Sequence, residues 1–94
     1  MQRLHFIGNL TKDAREYQNF VGFTVAVNET RKGEKVTTYI ECTHNIKEGS
    51  SLPQHLKKGT KVYCNGIPGV GEYEGKPYLK CSVFDLELCG QAQT

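Results

Sequence analysis

Apolar and polar residues alternate along five short segments of this 94-residue chain, a period of two that predicts β-strands with one buried face. In residues 36–43, for example, Ile40 and Cys42 lie on one face of the strand and Tyr39 lies on the other. Glycine-containing stretches that are typical of hairpin turns separate several strands, among them residues 31–35 and 72–77. The predicted strands cover residues 4–8, 20–28, 36–43, 60–67 and 78–88.

One short helix is predicted between the third and fourth strands. Ser50 or Ser51 is a candidate N-cap, and Pro53 suits the first helical turn. Leu52 and Leu56 are four residues apart, so a helix would place them on one face. The residues that follow are typical of a helix C-terminus: Lys57, Lys58 and Gly59. The alternative is an irregular polar loop.

The order of these elements predicts an all-β fold. Five short strands with a helix between the third and fourth form the layout of the OB-fold, a five-stranded Greek-key barrel. Closure of a single sheet suits a short chain because it hides most of the strand edges. We expect one OB-fold domain over residues 1–90, followed by a short disordered tail at residues 91–94.

Composition excludes several classes of protein. Hydrophobic residues make up 37% of the chain and charged residues 23%, which is typical of a globular domain and too apolar for wholesale disorder. No apolar stretch is long enough to span a bilayer, and the first residues lack the apolar core of a secretory signal. We therefore expect a cytoplasmic protein that does not bind membranes. The net charge of +2 permits an anionic partner without requiring one.

Catalytic and metal-binding patterns are weak in this sequence. The four cysteines form no CxxC pair, so we interpret most of them as small core residues rather than zinc ligands or disulfides. The three histidines lie on different segments, without a neighbouring carboxylate motif. The glycines of the last hairpin do not precede a helix, as a phosphate-binding loop would require. We expect no catalytic residues, no metal, no cofactor and no small-molecule substrate.

Aromatic and basic residues share the outward faces of the predicted strands, where an ordinary solvated sheet would carry Thr, Lys and Glu. A base can stack on an exposed ring while a nearby cation binds its phosphate, so this pattern favours a single-stranded nucleic acid as partner. Stacking ignores base identity, which predicts little sequence preference. The alternative is a subunit interface, which also uses tyrosine. The candidate residues are Tyr39, Tyr63, Tyr73, Tyr78, Phe84, Arg31, Lys32, Lys35, Lys61 and Lys80.

Four segments, in order, resemble the bacterial-type single-stranded DNA-binding proteins. An apolar run followed by Gly-Asn-Leu and an acidic residue is similar to the family's opening strand, and a Lys-Gly that leads into Val-Tyr-x-x-Gly is similar to its most recognisable stretch. Together the resembling segments cover residues 4–13, 23–29, 37–42 and 56–66.

The resemblance implies sequence-nonspecific binding and protection of single-stranded DNA in replication, recombination or repair. It places Tyr39 at a stacking Trp position of the family, Tyr63 at a Tyr that lines the DNA path, and Tyr73 near a second stacking Trp. Lys12 joins Lys32, Lys35, Lys61 and Lys80 as a candidate for phosphate contacts.

The sequence also departs from the family pattern. It contains no Trp, and two further stacking positions hold Arg31 and Asn45. Of these two, the guanidinium of Arg31 can stack on a base, whereas Asn45 does so poorly. The family's acidic tail has no counterpart before Thr94, so we expect a shortened chain or a reduced variant such as mobile elements and phages carry, with weaker binding.

The resemblance implies self-association, since family members form homotetramers and the primosomal branch forms dimers. We expect a homo-oligomer, with a tetramer favoured over a dimer and the first-strand region around His5 as its seam. Two other functions stay open at this point. One is a primosomal replication-restart protein that binds single strands as a dimer, and the other is a protein-interaction OB module that binds no nucleic acid.

Overall fold

All five predicted strands are present in the structure, a computed structural model that describes residues 2–47 and 49–91. A sixth strand of two residues, β2, was not predicted and forms one side of a tight turn into β3. A short 3-10 helix, Leu52–His55, lies between β4 and β5. The strands are β1 (Leu4–Leu10), β2 (Arg15–Glu16), β3 (Phe20–Arg31), β4 (Glu34–Asn45), β5 (Thr60–Tyr73) and β6 (Lys76–Gln91).

The strands close into a barrel, which confirms the predicted all-β OB-fold. Their order in the sheet is β1-β5-β6-β4-β3-β2, and the additional pairing of β1 with β3 closes the circle of the five long strands. The β4–β6 pair is parallel and the others are antiparallel. Closure depends on β1, which pairs with β5 over Leu4–Asn9 and then with β3 through Asn9 and Leu10.

Alternate residues of each strand fill the barrel, as the period of two predicts. Three of the four cysteines lie in this core, which confirms their interpretation as buried residues, whereas Cys89 is exposed. Each core strand therefore has a second face that points away from the barrel interior. The buried apolar residues are Phe6, Leu10, Val21, Phe23, Val25, Ile40, Cys42, Leu56, Val62, Cys64, Cys81 and Val83.

The two long hairpins extend further than predicted because two-residue turns let the strands pair almost to the tip. Lys32 and Gly33 have φ angles of +50° and +81°, and Glu74 and Gly75 have +51° and +79°. Positive φ at both central residues is typical of the type I′ turn, whose twist matches that of the flanking strands. The β5–β6 hairpin consequently carries Tyr73 and its neighbours beyond the barrel wall.

The predicted helix is shorter than its sequence pattern indicates. It forms a single 3-10 turn, so Lys57 and Lys58 lie after it and no side chain of Ser51 caps it. The chain leaves the helix at once because Leu56 must enter the core, where it is fully buried, and because the Gly59 N–H donates to the Leu10 carbonyl at 2.9 Å.

The sequence predicts that the protein does not bind membranes and that residues 91–94 form a disordered tail. Within residues 2–47 and 49–91, no helix is long and apolar enough to cross a membrane. The predicted tail at residues 91–94 lies outside the described residues, apart from the backbone of Gln91, which ends β6.

Candidate nucleic-acid interface

A groove of about 1160 Å³ crosses the outer face of β3, β4 and β6. The connection between β1 and β3 forms one of its sides, and the tip of the β5–β6 hairpin forms the other. In OB-folds the ligand site lies on the face of the second and third barrel strands between these same two connections. The groove therefore occupies the position at which this architecture binds oligonucleotides and oligosaccharides.

The floor of the groove is set by the register of the strands. Glu41 of β4 lies opposite Thr24 of β3 and opposite Lys80 of β6, and Lys80 in turn lies opposite Gly69 of β5. This row of outward positions runs across four neighbouring strands. Hydroxyls extend the floor on one side of the row, through the paired residues Thr43 and Ser82.

Tyr78 forms part of the groove wall because its ring lies over a glycine. A Cβ atom placed on Gly71, its partner on β5, would collide with the tyrosine ring. The ring packs against the bare backbone, and the residue remains 40% exposed. The aliphatic part of Lys80 lies over Gly69 in the same way, with Cε 3.2 Å from the Cβ position of that glycine.

Tyr73 lies at the hairpin side of the groove, as the last residue of β5. Its side chain is 70% exposed, so most of the ring is available to a ligand. Lys76, its cross-strand partner, also lines the groove. An exposed ring beside a cation is the arrangement that stacks a base and binds its phosphate.

The opposite side of the groove contains an aromatic pair that the sequence analysis missed. The rings of Tyr17 and Phe20 stack with centroids 4.5 Å apart and planes 15° apart. A hydrogen bond of 2.8 Å from the Tyr17 N–H to the Phe20 carbonyl closes the turn that holds them together. The available signal was an aromatic in the connection after the first strand, Tyr17, and a second, Phe20, where the next strand begins. This connection flanks the ligand site in OB-folds.

Charges along the groove are mixed, with a small excess of cations. Of the three carboxylates that line it, Asp13 is already engaged, because it accepts a hydrogen bond of 2.9 Å from the Lys58 N–H and lies 3.9 Å from the Lys57 ammonium. The cations on the lining are Lys12, Arg15, Lys76 and Lys80, of which Arg15 and Lys76 were not predicted.

The structure thus brings together four predicted site residues, Lys12, Tyr73, Tyr78 and Lys80, in one groove. Tyr39 lies beside this group. Ile40 of β4 is paired with Leu79 of β6, so the residues that precede them, Tyr39 and Tyr78, are neighbours across the two strands. The Tyr39 side chain is 60% exposed.

Three predicted cations lie apart from the groove, near the tip of the β3–β4 hairpin: Arg31, Lys32 and Lys35. Arg31 forms an exposed ion pair of 3.1 Å with Glu29, which offsets part of its charge. Because the hairpin extends from the strands that form the groove floor, these cations reach only a ligand that continues along the hairpin.

The remaining predicted residues, Tyr63, Lys61 and Phe84, belong to a different wall of the barrel. Tyr63 lies opposite Ile7 of β1, and its hydroxyl is 2.8 Å from His5 Nδ1. Phe84 is the extra residue of a β-bulge in β6, and the Arg3 guanidinium lies 5.3 Å from its ring centroid. We call this wall, with His5, Ile7, Tyr63 and Phe84, the β1 wall. The structure does not bring it together with the groove.

The buried thiols belong to the core rather than to a site. A hydrogen bond to Cys64, together with burial, raises the pKa of the Cys42 thiol, and burial raises the pKa of the Cys81 thiol. Both groups therefore stay protonated and weakly reactive near neutral pH. His44 is held by a hydrogen bond of 2.8 Å between Nδ1 and the Val83 carbonyl. Within the described residues, no three His, Cys, Asp or Glu side chains are grouped to hold a metal ion.

Comparison with known protein families decides between the groups that use this architecture. Residues 1–88 match the model of the single-strand binding protein family. The chain belongs to this family. Membership confirms the resemblance seen in the four sequence segments, and it applies to almost the entire barrel.

Two curated relatives, in Bacillus cereus and Bacillus anthracis, are each named single-stranded DNA-binding protein. Each is 31% identical to this chain, over an alignment that covers 92% of the chain and 55% of the relative. The chain therefore spans about half the length of these relatives.

A solved structure has a similar fold. The small single-stranded DNA-binding protein from Streptomyces coelicolor superposes with a TM-score of 0.71 and 15% sequence identity, over 93% of each chain. At this level of identity the likeness shows the fold alone, and it agrees with the closed barrel described above.

Proposed function

We propose that this chain binds single-stranded DNA in the groove across β3, β4 and β6, with little dependence on sequence. The observation that carries the proposal is the position of the groove, which joins exposed rings and cations at the ligand site of an OB-fold in a member of the single-strand binding protein family. The proposed activity is binding without catalysis.

Base stacking supplies the first part of the proposed mechanism. Tyr73 and Tyr78 offer rings on the hairpin side, and Tyr17 and Phe20 offer a stacked pair on the other side. Each stacked base contributes about 1–3 kcal/mol, whatever its identity. A duplex buries its bases inside the helix, so rings of this kind select an unpaired strand.

Phosphate contacts supply the second part. Lys12 and Arg15 lie on one side of the groove, Lys76 on the other, and Lys80 on the floor. Neutralised phosphates release counterions, so the logarithm of the affinity should fall with the logarithm of the salt concentration, with a slope of about −0.7 per contact.

The other predicted site residues extend this proposal. Tyr39 and the hairpin cations Arg31, Lys32 and Lys35 would contact a strand that leaves the groove along β3 and β4. Tyr63, Lys61 and Phe84 would contact only a strand that continues around the barrel to the β1 wall, in a copy whose β1 wall is not covered by another copy.

Self-association is a further part of the proposal, with a homotetramer favoured over a dimer. Ile7 and Phe84 of the β1 wall are each 50% exposed, and a second copy that covered them would bury apolar surface. Sedimentation at concentrations that span the binding assays measures the assembly, and a purely monomeric species would contradict it.

The biological setting that we propose is protection of unpaired DNA in replication, recombination or repair. Fluorescence polarisation with labelled single-stranded and double-stranded DNA over a salt series tests the binding on which this depends. We expect saturable binding of the single strand that weakens with salt, and much weaker binding of the duplex. Equal affinity for both forms, or no shift in polarisation with either, would overturn the proposal.

A further inference from the structure

The middle of the groove floor carries a carboxylate, Glu41, where a surface that only bound phosphates would carry a cation. β4 lies between β3 and β6, and Glu41 is paired in register with Thr24 on one side and Lys80 on the other. A ligand that lies across the floor therefore passes directly over this carboxylate.

The Glu41 carboxylate is held in place but not neutralised. The Thr24 hydroxyl lies 3.1 Å from each of its oxygens, so it donates to the carboxylate and fixes its orientation. The side chain of Lys80 extends away from Glu41, because its aliphatic part lies over Gly69 on β5. In the described part of the chain, no ion pair within 4.0 Å joins Glu41 to a cation. The outward lone pairs are left free to accept hydrogen bonds.

An ionised carboxylate accepts hydrogen bonds and repels phosphates. Over Glu41 a DNA strand must therefore present its bases and keep its phosphates near the cations. Cytosine and adenine offer an exocyclic amino group, and guanine offers an amino group beside an imino N–H. Thymine offers a single imino N–H between two carbonyl oxygens, which the carboxylate repels.

We propose that Glu41 reads base edges and shifts the relative affinity of the groove away from thymine and toward bases that carry an exocyclic amino group. This inference rests on the proposed binding of single-stranded DNA in the same groove, and it adds a compositional bias to a surface that otherwise tolerates any sequence. Glu41 is a specificity-determining residue in this account.

The experiment compares oligo-dC and oligo-dT of equal length, at one salt concentration, with the native chain and with Glu41→Gln. We expect Glu41→Gln to lower the ratio of the two affinities, dC over dT, by about five- to tenfold, because a charged acceptor for the amino group is replaced by the weaker, neutral amide oxygen. Affinity for oligo-dT should stay the same or rise, since the repulsion of phosphates falls. The matched control is Glu74→Gln, which removes a groove carboxylate at the hairpin tip and should leave the ratio unchanged.

A modified ligand gives a second, independent readout. Oligo-dC in which the amino group is N4-dimethylated cannot donate, so the native chain should bind it no more tightly than Glu41→Gln binds ordinary oligo-dC. An equal change of both affinities in Glu41→Gln would show a purely electrostatic role and overturn the inference. Absence of binding to both oligonucleotides by the native chain would instead overturn the proposed function.

Discussion

Replacing Tyr73 with Ala separates binding from folding more cleanly than other changes in the groove. The side chain is 70% exposed at the end of β5, so its removal costs little buried surface and should change the free energy of unfolding by less than about 0.5 kcal/mol. If the ring stacks one base, the loss is about 1–3 kcal/mol of binding free energy, which weakens the affinity about 5- to 150-fold.

The assay for Tyr73→Ala is a polarisation titration with labelled oligo-dT, paired with thermal unfolding of the same sample. Val70→Ala is the matched control, because Val70 lies on the same strand and is 69% exposed. Val70 alternates with Gly69 and Gly71, which lie under groove residues, so its side chain points away from the groove. We expect Val70→Ala to bind as the native chain does. Equal affinities for Tyr73→Ala and the native chain would refute the assignment of this ring as a stacking residue.

Two further predictions follow from the same geometry, and two concern the core. Gly71→Ala should displace the Tyr78 ring and weaken oligo-dT binding several-fold, and native affinity in a titration of this variant would contradict the role of that ring. Lys80→Gln should reduce the slope of the salt dependence by about 0.7 if Lys80 contacts one phosphate, and an unchanged slope would exclude that contact. Leu56→Ala should lower the free energy of unfolding by about 2–5 kcal/mol in denaturant titrations, because the side chain is fully buried, and a loss below 1 kcal/mol would contradict its place in the core. Ellman's reagent should modify the exposed Cys89 rapidly in the folded protein. The three buried thiols, two of which have raised pKa values, should react only after unfolding. Rapid modification of all four thiols would contradict the buried core.

The architecture was predictable because burial in a barrel imposes a period of two on every strand. Ile40 and Cys42 face the core and Tyr39 faces outward, as their alternation indicates. The ends of the strands were less predictable. The predicted turn at residues 31–35 has the composition of a loop, yet a two-residue type I′ turn lets its outer residues pair as strand.

The short helix shows where local pattern gives way to tertiary contacts. The spacing of Leu52 and Leu56 indicates burial on one side, and both residues do pack against the core. The spacing does not show that the chain must leave the helix after a single 3-10 turn, which places Leu56 in the core and Thr60 at the start of β5. The length of this helix is set by the distance between the end of β4 and the start of β5. The sequence pattern does not show that distance.

The candidate site was predicted in part, because outward residues of a barrel lie on several different walls. Alternation alone places Tyr63 and Tyr78 outward, but only the register of β5 against β1 and β6 shows that they lie on separate surfaces. The stacked pair of Tyr17 and Phe20 was missed because its geometry depends on a turn formed with β2, a strand of two residues that carries no periodic signal.

Amide chemical-shift mapping during titration with a short oligo-dT locates the bound strand on the protein, and so tests whether single-stranded DNA lies in the groove. We expect the largest shifts on the groove, at residues such as Arg15, Gly22, Thr43, Tyr73 and Lys80, and small shifts at His5 and Asn65 on the opposite side of the barrel. Shifts confined to the β1 wall, or no shifts at saturating oligonucleotide, would contradict binding in the groove.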